Sequence, residues 1–256
     1  MKKLISTLIL LVGIWFVTIP IYNGCNTPEP VQKCTGYTNL HPWASQVYCY
    51  TSSELYHLEN EKDPQERVKK FVIRFGILPL RNGKTIFQDL QDTFLIPPAI
   101  KAAQAIIEAA ITRNHSMSTL AIRANNYHGI KARKGQDFIS FLTTEYRFGK
   151  KQIESAKFAR YDTPYMGMKA HARLLSTGKA YKEFEQNLIS PDEYLCMIPE
   201  RRLEYLDFII EMLGKYATSP RYQKDLKNTI RKYDLHFLWK KKRLSLPPLQ
   251  EGHINV

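Results

Sequence analysis

From Ala99 to Ile111 the only polar side chains are Lys101, Gln104 and Glu108. At about 100° per residue these three fall on one narrow stripe of a helix whose remaining surface is Ala and Ile. A helix apolar on nearly every side has to be enclosed by protein. The chain must therefore build a shell of other elements around this segment, and its one acid then stands at the edge of a core. Poor solvation there favours the protonated carboxyl, the state in which an acid donates a proton near neutral pH. An arginine on a neighbouring helix would instead hold Glu108 as a structural ion pair. Periodicity alone does not choose between the two.

The rest of the chain supplies such a shell. Asp63-Pro64, Thr163-Pro164, Ser190-Pro191 and Ser219-Pro220 each put a capping side chain before a proline at a first helical position. Glu66 and Glu193 stand at capping-box spacing from Asp63 and Ser190. Gly76, Gly178 and Gly214 fall where helices should stop. Between about Asp137 and Tyr161 the period changes. Phe138, Ile139, Phe141, Leu142, Tyr146 and Phe148, then Gly149-Lys150-Lys151 and Ile153, predict a β-hairpin. Helices, hairpin, more helices is the order of an α+β fold that is mainly α, a helical lobe and a small β-hairpin lobe with a cleft between.

With 256 residues there is room for one domain with a sizeable core plus appendages. Met1-Lys2-Lys3 precedes an uncharged run from Leu4 to Tyr22, about long enough to cross a bilayer. The lysines would stay cytoplasmic and the remainder would be exported. The run lacks a small-x-small cleavage site, which favours an inner-membrane anchor over a cleaved signal. Cys25 after Gly24 leaves a lipid-modified cysteine as a further option. We therefore expect an anchor or signal segment over 1–24 and a periplasmic spacer over 25–62, with Trp43, Tyr48 and Tyr50 available to dock it. The folded domain is expected over 63–239 and a basic, Pro-containing tail over 240–256. Four cysteines are too few for a disulfide scaffold. Cys34 and Cys49 are able to bridge, and Cys196 reads as a small buried hydrophobe. No Cys/His spacing suggests a metal site, so neither metal nor cofactor is expected.

Thirty-seven Lys and Arg against 24 Asp and Glu give a net charge of +13. Such a balance suits nucleic acid, an anionic membrane or an acidic polymer. The basic residues are spread along the chain without a nucleic-acid fold signature, which argues against nucleic acid. For an exported chain the simplest anionic partner is the cell wall.

Several segments then resemble one family in the right order. They are Gln104-Ala105-Ile106-Ile107-Glu108, Ser118-Thr119-Leu120-Ala121, Asn125-Asn126-Tyr127-His128-Gly129-Ile130-Lys131 and Thr143-Thr144-Glu145-Tyr146. Phe158-Ala159-Arg160-Tyr161-Asp162 and Tyr216-Ala217-Thr218-Ser219-Pro220-Arg221-Tyr222 follow. Together, over roughly residues 90–237, they resemble the N-acetylglucosaminidase domains of glycoside hydrolase family 73. These are bacterial peptidoglycan hydrolases that include the muramidase half of flagellar rod-cap proteins. The resemblance implies a lysozyme-like fold and a peptidoglycan glycan strand as substrate, cut at the β-1,4 bond from N-acetylglucosamine to N-acetylmuramic acid. It implies Glu108 as general acid, Glu145 as a second carboxylate in the hairpin across the cleft, and Tyr216 near the acid as a substrate-binding residue whose hydroxyl orients water or the acetamido group. At about 5 Å from Glu108, Glu145 would attack directly; at about 6.5–9.5 Å it would activate water; otherwise the substrate's own acetamido oxygen attacks. Asn126 is expected to bind the N-acetyl group, to cap a helix before the Gly129 turn, or to do partly both. Tyr127, Tyr146 and Tyr165 are either sugar-stacking platforms or core residues.

One departure stands out. The family usually follows its acid with Ser-Gly-aromatic-Gly, whereas Glu108 is followed by Ala109-Ala110-Ile111-Thr112, and Leu120 comes late. Ala and Ile propagate a helix where Gly would end it. The helix is therefore expected to run on for another turn, with a rebuilt loop around Arg113-Asn114-His115-Ser116. A lytic transglycosylase and a wall-binding scaffold that has lost turnover are the alternative readings.

Overall fold

The central element is α4 (Pro98–Glu108). Its residues from Ala99 to Ile106 are at most 1% exposed, Lys101 and Gln104 among them. The expectation of an enclosed helix thus holds in the computed structural model, which describes residues 41–43, 50–80, 82–114, 116–147, 150–217 and 219–238. The shell opens with α1 (Ser52–Tyr56), a 3-10 turn (Leu58–Asn60), α2 (Pro64–Val72) closed by one π turn (Ile73–Ile77), and α3 (Ile86–Phe94). After α4 come α5 (Thr119–Ala124) and the strands β1 (Phe138–Arg147) and β2 (Lys150–Ala159). Then follow α6 (Pro164–Thr177), α7 (Lys182–Gln186), α8 (Pro191–Cys196), α9 (Pro199–Glu211), α10 (Tyr222–Lys232) and a 3-10 turn (Leu235–Phe237). Helices α3, α9 and α10 and the last 3-10 turn pack directly on α4. Phe71, Phe75, Phe87 and Leu90 fill the space on one side, Ile209, Leu226 and Ile230 on the other, all 0–1% exposed. The fold is mainly helical with one small antiparallel sheet, as the pattern predicts.

Strands β1 and β2 form the expected hairpin, in register from Phe138 opposite Ala159 to Arg147 opposite Lys150. Its base is stitched to the helical lobe. The Ala159 N–H donates to the Ile130 carbonyl at 2.9 Å and the Tyr161 N–H to the Ala124 carbonyl at 2.9 Å.

The helix starts follow their caps with two exceptions. Asp63, Thr163 and Ser190 cap α2, α6 and α8 ahead of a proline, and the Ser190–Glu193 capping box forms in both directions. At Asp63 the box does not form, because Glu66 accepts from the Tyr50 hydroxyl instead. Ser219-Pro220 stands in a turn, and α10 begins only at Tyr222. Gly178 ends α6, while Gly76 sits inside the π turn, where a methyl group would meet Leu238 Cδ2 at 2.9 Å.

Part of the stretch read as spacer belongs to the packed body. Leu55 and Leu58 are 2% and 1% exposed, and Trp43 and Tyr50 pack against the core. His41 is bonded to the Tyr233 carbonyl at 3.1 Å. Cys196 is exposed rather than buried, since Tyr194, 1% exposed, takes the inward position of the short α8. Residues 1–24, Cys34, Tyr48, Cys49 and the 240–256 tail lie outside the described residues. No helix among the described residues is long and apolar enough to cross a membrane.

The expected extra turn of α4 is not there. The helix stops at Glu108, and Ala110 takes the left-handed region at φ +52°. The Ile111 N–H reaches back to the Ile106 carbonyl at 3.0 Å and the Ala110 N–H to the Ile107 carbonyl at 3.0 Å. That pair of bonds is the Schellman arrangement, which normally places Gly where Ala110 stands. Two tertiary features override the helix propensity of Ala. Ile111 is fully buried against the core. The buried guanidinium of Arg67, from α2, donates to the carbonyls of Ile111 at 2.9 Å and Arg113 at 2.8 Å. A left-handed non-glycine residue costs about 1–2 kcal/mol. Ala110→Gly should therefore raise the Tm by a few degrees in a calorimetric scan, about 2–4 °C per kcal/mol at this size. A lowered Tm would show that the left-handed backbone at 110 is not strained.

Candidate active site

Glu108, half-buried at the last position of α4, lines an open cleft of about 1810 Å³ between the helical lobe and the hairpin. The cleft runs past Met117–Leu120, the 128–136 loop, Phe141–Thr143 of β1 and the exposed side of α6. Glu108 is the last residue of α4, so its carboxyl stands where the buried helix meets the cleft.

Around Glu108 the polar stripe predicted from the sequence resolves into two sets of contacts. The Tyr222 hydroxyl hydrogen-bonds the Glu108 carboxyl and accepts from Gln104 Nε2 at 3.1 Å. Tyr222 stacks on Tyr216 at 5.6 Å, and the Tyr216 hydroxyl donates to the His128 carbonyl. Burial first, and then neighbouring phenols and the Glu108 carboxyl, push both phenols well above their usual range. Both therefore remain neutral donors at any working pH. Gly129 faces Glu108 from the other side. Its φ of +64° favours glycine, and a methyl group there would stand 3.7 Å from Glu108 Oε2.

Two turns in from Glu108, Lys101 is fully buried. Its Nζ lies 3.1 Å from His128 Nε2 and also contacts His171 Nδ1, and the two imidazoles stack at 3.9 Å. Burial pushes all three bases well below their usual range; Lys101 adds to it for both histidines, and His128 adds to it for His171. The cluster of one amine and two imidazoles is wedged behind the 128–129 segment, with the rim of Tyr216 against His171 at 4.9 Å.

The expected site residues divide. Glu108 and Tyr216 come together in the cleft. Asn126 does not reach it: 2% exposed, it donates to the carbonyls of Ile130 and Ala159 at 2.9 Å and accepts from the Ile130 N–H at 3.0 Å. Of its two expected roles the backbone one takes every polar atom, tying the Gly129 turn to the hairpin base. Tyr127 is a core residue, 5% exposed and packed on Phe71 and Phe75, because its turn points it inward. Tyr165 stands outside the cleft and donates to Asp89 Oδ2 at 2.7 Å. Glu145 and Tyr146 are placed on β1 opposite Gln152 and Lys151; their side chains lie outside what the structure describes. Tyr222, His128 and His171 were not anticipated as neighbours of the acid. For Tyr222 the signal was present, since it closes the same Tyr-Ala-Thr segment that Tyr216 opens.

A helical lobe, a small β lobe, and an acid at a helix end in the cleft between them together make a lysozyme-like architecture. Residues 84–235 match the family model described as mannosyl-glycoprotein endo-beta-N-acetylglucosaminidase, and the chain belongs to this glycoside hydrolase family. It is 28% identical over 148 residues to the exo-glucosaminidase LytG of Bacillus subtilis (strain 168), covering 58% of this chain. It spans 48% of that relative's length. Among solved structures it is similar to the N-acetylmuramoyl-L-alanine amidase of Staphylococcus aureus, with a TM-score of 0.52 and 20% identity over 75% of this chain and 46% of that one. It is also similar to the catalytic domain of the autolysin Auto of Listeria monocytogenes, with a TM-score of 0.46 and 22% identity over 60% of this chain and 81% of that one.

The buried bases give the fold a pH dependence of definite sign. Burial holds His41 down at about 4 and His128 and His171 well below 6.5. Below about pH 6.5 the unfolded chain therefore binds protons that the folded one refuses, and stability is lost as the pH is lowered. Between pH 7.5 and 5.5 each such histidine should cost up to about 1.4 kcal/mol. Calorimetry should show Tm dropping by several degrees over this window; a flat or rising Tm would mean that the bases are not held neutral.

Proposed function

We propose that the protein hydrolyses the glycan strand of peptidoglycan at the β-1,4 bond from N-acetylglucosamine to N-acetylmuramic acid, with Glu108 as general acid. The observation that carries this reading is the placement of Glu108, a half-buried carboxyl on the wall of an open cleft, held by Tyr222 and faced by the backbone of Gly129. Cleaving an acetal needs a proton on the leaving oxygen and support for an oxocarbenium-like centre. Glu108 supplies the proton. The neutral hydroxyl of Tyr222, with its oxygen already taken by Gln104, fixes the carboxyl without replacing it as the acid.

Glu145 is the second carboxylate of this proposal. Its support is positional, since it lies two residues beyond Thr143 on the strand that forms one wall of the cleft. It attacks the anomeric carbon or activates water, unless the substrate's acetamido oxygen takes that part. Membership of the family supports an N-acetylglucosamine-containing substrate and a place in the cell envelope. Anchoring in the inner membrane by the Leu4–Tyr22 run belongs to the same proposal, its support being the apolar length of that run.

Full-length protein should clear a peptidoglycan gel and release muropeptides ending in reducing N-acetylglucosamine. Glu108→Gln should lower the rate by at least about 10²-fold, the usual scale of general acid catalysis, with Tm unchanged. Anhydro products would make it a lytic transglycosylase. Undiminished clearing by Glu108→Gln would remove Glu108 from the chemistry.

A further inference from the structure

Six exposed cations line the cleft: Arg113, Lys131, Arg133, Lys134, Lys169 and Arg173. Among the described residues the acids lining it are Glu108 and Asp225, and the hydrolase reading adds Glu145. Even with Glu145 counted that is two to one, against 37 to 24 for the whole chain, so the positive charge is gathered here beyond the general bias. The cations come from three separate elements. Arg113 follows the end of α4. Lys131, Arg133 and Lys134 stand on the loop leading from Gly129 to β1. Lys169 and Arg173 lie one turn apart on the same side of α6.

Lys131 reaches Glu154 at 3.6 Å. Among the described residues the other five make no ion pair. Like charges brought together repel, and six of them around one concave surface, five without an ion pair among the described residues, raise the local concentration of anions. Placed beside the acid, such a lining meets whatever the glycan carries on its flanks.

We infer that these cations recognise free carboxylates borne by the substituents of the strand, so that the site takes acid-bearing strands in preference to a neutral β-1,4-N-acetylglucosamine polymer. This rests on the hydrolase reading above and adds a substrate class to it. Each exposed contact contributes only about a few-fold in affinity, so selectivity comes from several acting together. It is also screened: the Debye length shrinks from about 10 Å at 0.1 M salt to about 3 Å at 1 M.

The test measures binding by the full-length Glu108→Gln protein, which needs no turnover, to three probes of equal length. They are peptide-bearing strands, the same strands with their carboxylates amidated, and a neutral N-acetylglucosamine oligomer. We expect the acid-bearing strands to bind about ten-fold tighter than either neutral probe at about 0.1 M salt, with the preference gone at about 1 M. Lys134→Gln or Arg173→Gln should each cut the preference several-fold. Lys232→Gln, the same charge loss on exposed α10 outside the cleft, should leave it intact. Equal binding of all three probes, or an effect of Lys232→Gln as large as that of Lys134→Gln, would overturn the inference. Muropeptide release by the wild type is read separately. Release without preference rejects the carboxylate lining alone, and no release from any strand rejects the hydrolase reading.

Discussion

The way α4 ends governs much else in this molecule. A helix buried on almost every side cannot expose a side chain to solvent except at its ends, and this one ends at Glu108. Two carbonyl-directed bonds from Arg67 and the burial of Ile111 force the backbone at Ala110 into a region alanine avoids. The strain there, about 1–2 kcal/mol, is small beside the burial of Ile111 and the satisfied carbonyls it permits.

Behind the acid, the polar stripe of α4 changes character with depth. At the surface it is a carboxyl and two phenols; one turn in, an amide locks one phenol; two turns in, an amine lies against two stacked imidazoles. Burial disfavours charge on the deepest set, because an ion there lacks solvation. The set instead fills the space behind the 128–129 backbone and presses Tyr216 against the His128 carbonyl. Proton chemistry is thereby confined to the outer end of the stripe, where the cleft begins.

Much of this was legible in residues. The scarcity of polar side chains between Ala99 and Ile111 announced an enclosed helix, alternation announced the hairpin, and Asp63, Thr163 and Ser190 marked helix starts correctly. The end of α4 was not legible, since Ala and Ile at 109–111 read locally as more helix. Only contacts 44 residues away, from Arg67, reverse that preference. Tyr127 and Asn126 misled for a related reason. Aromatic and amide side chains suit a sugar site and a packed turn equally, and the direction of a turn is not written in its composition. Tyr222 opens α10, two residues later than Ser219-Pro220 suggests, and its hydroxyl accepts from Gln104.

The central claim is that Glu108 gives its proton to the departing oxygen, and leaving-group dependence tests it most directly. Rates of wild type and Glu108→Gln would be compared on a β-N-acetylglucosaminide oligomer carrying either a sugar or an activated nitrophenol as leaving group. A nitrophenolate departs without help, so the variant should lose at least about 10²-fold on the sugar and little on the phenol. An equal loss on both would contradict proton donation and leave Glu108 a structural or electrostatic part instead.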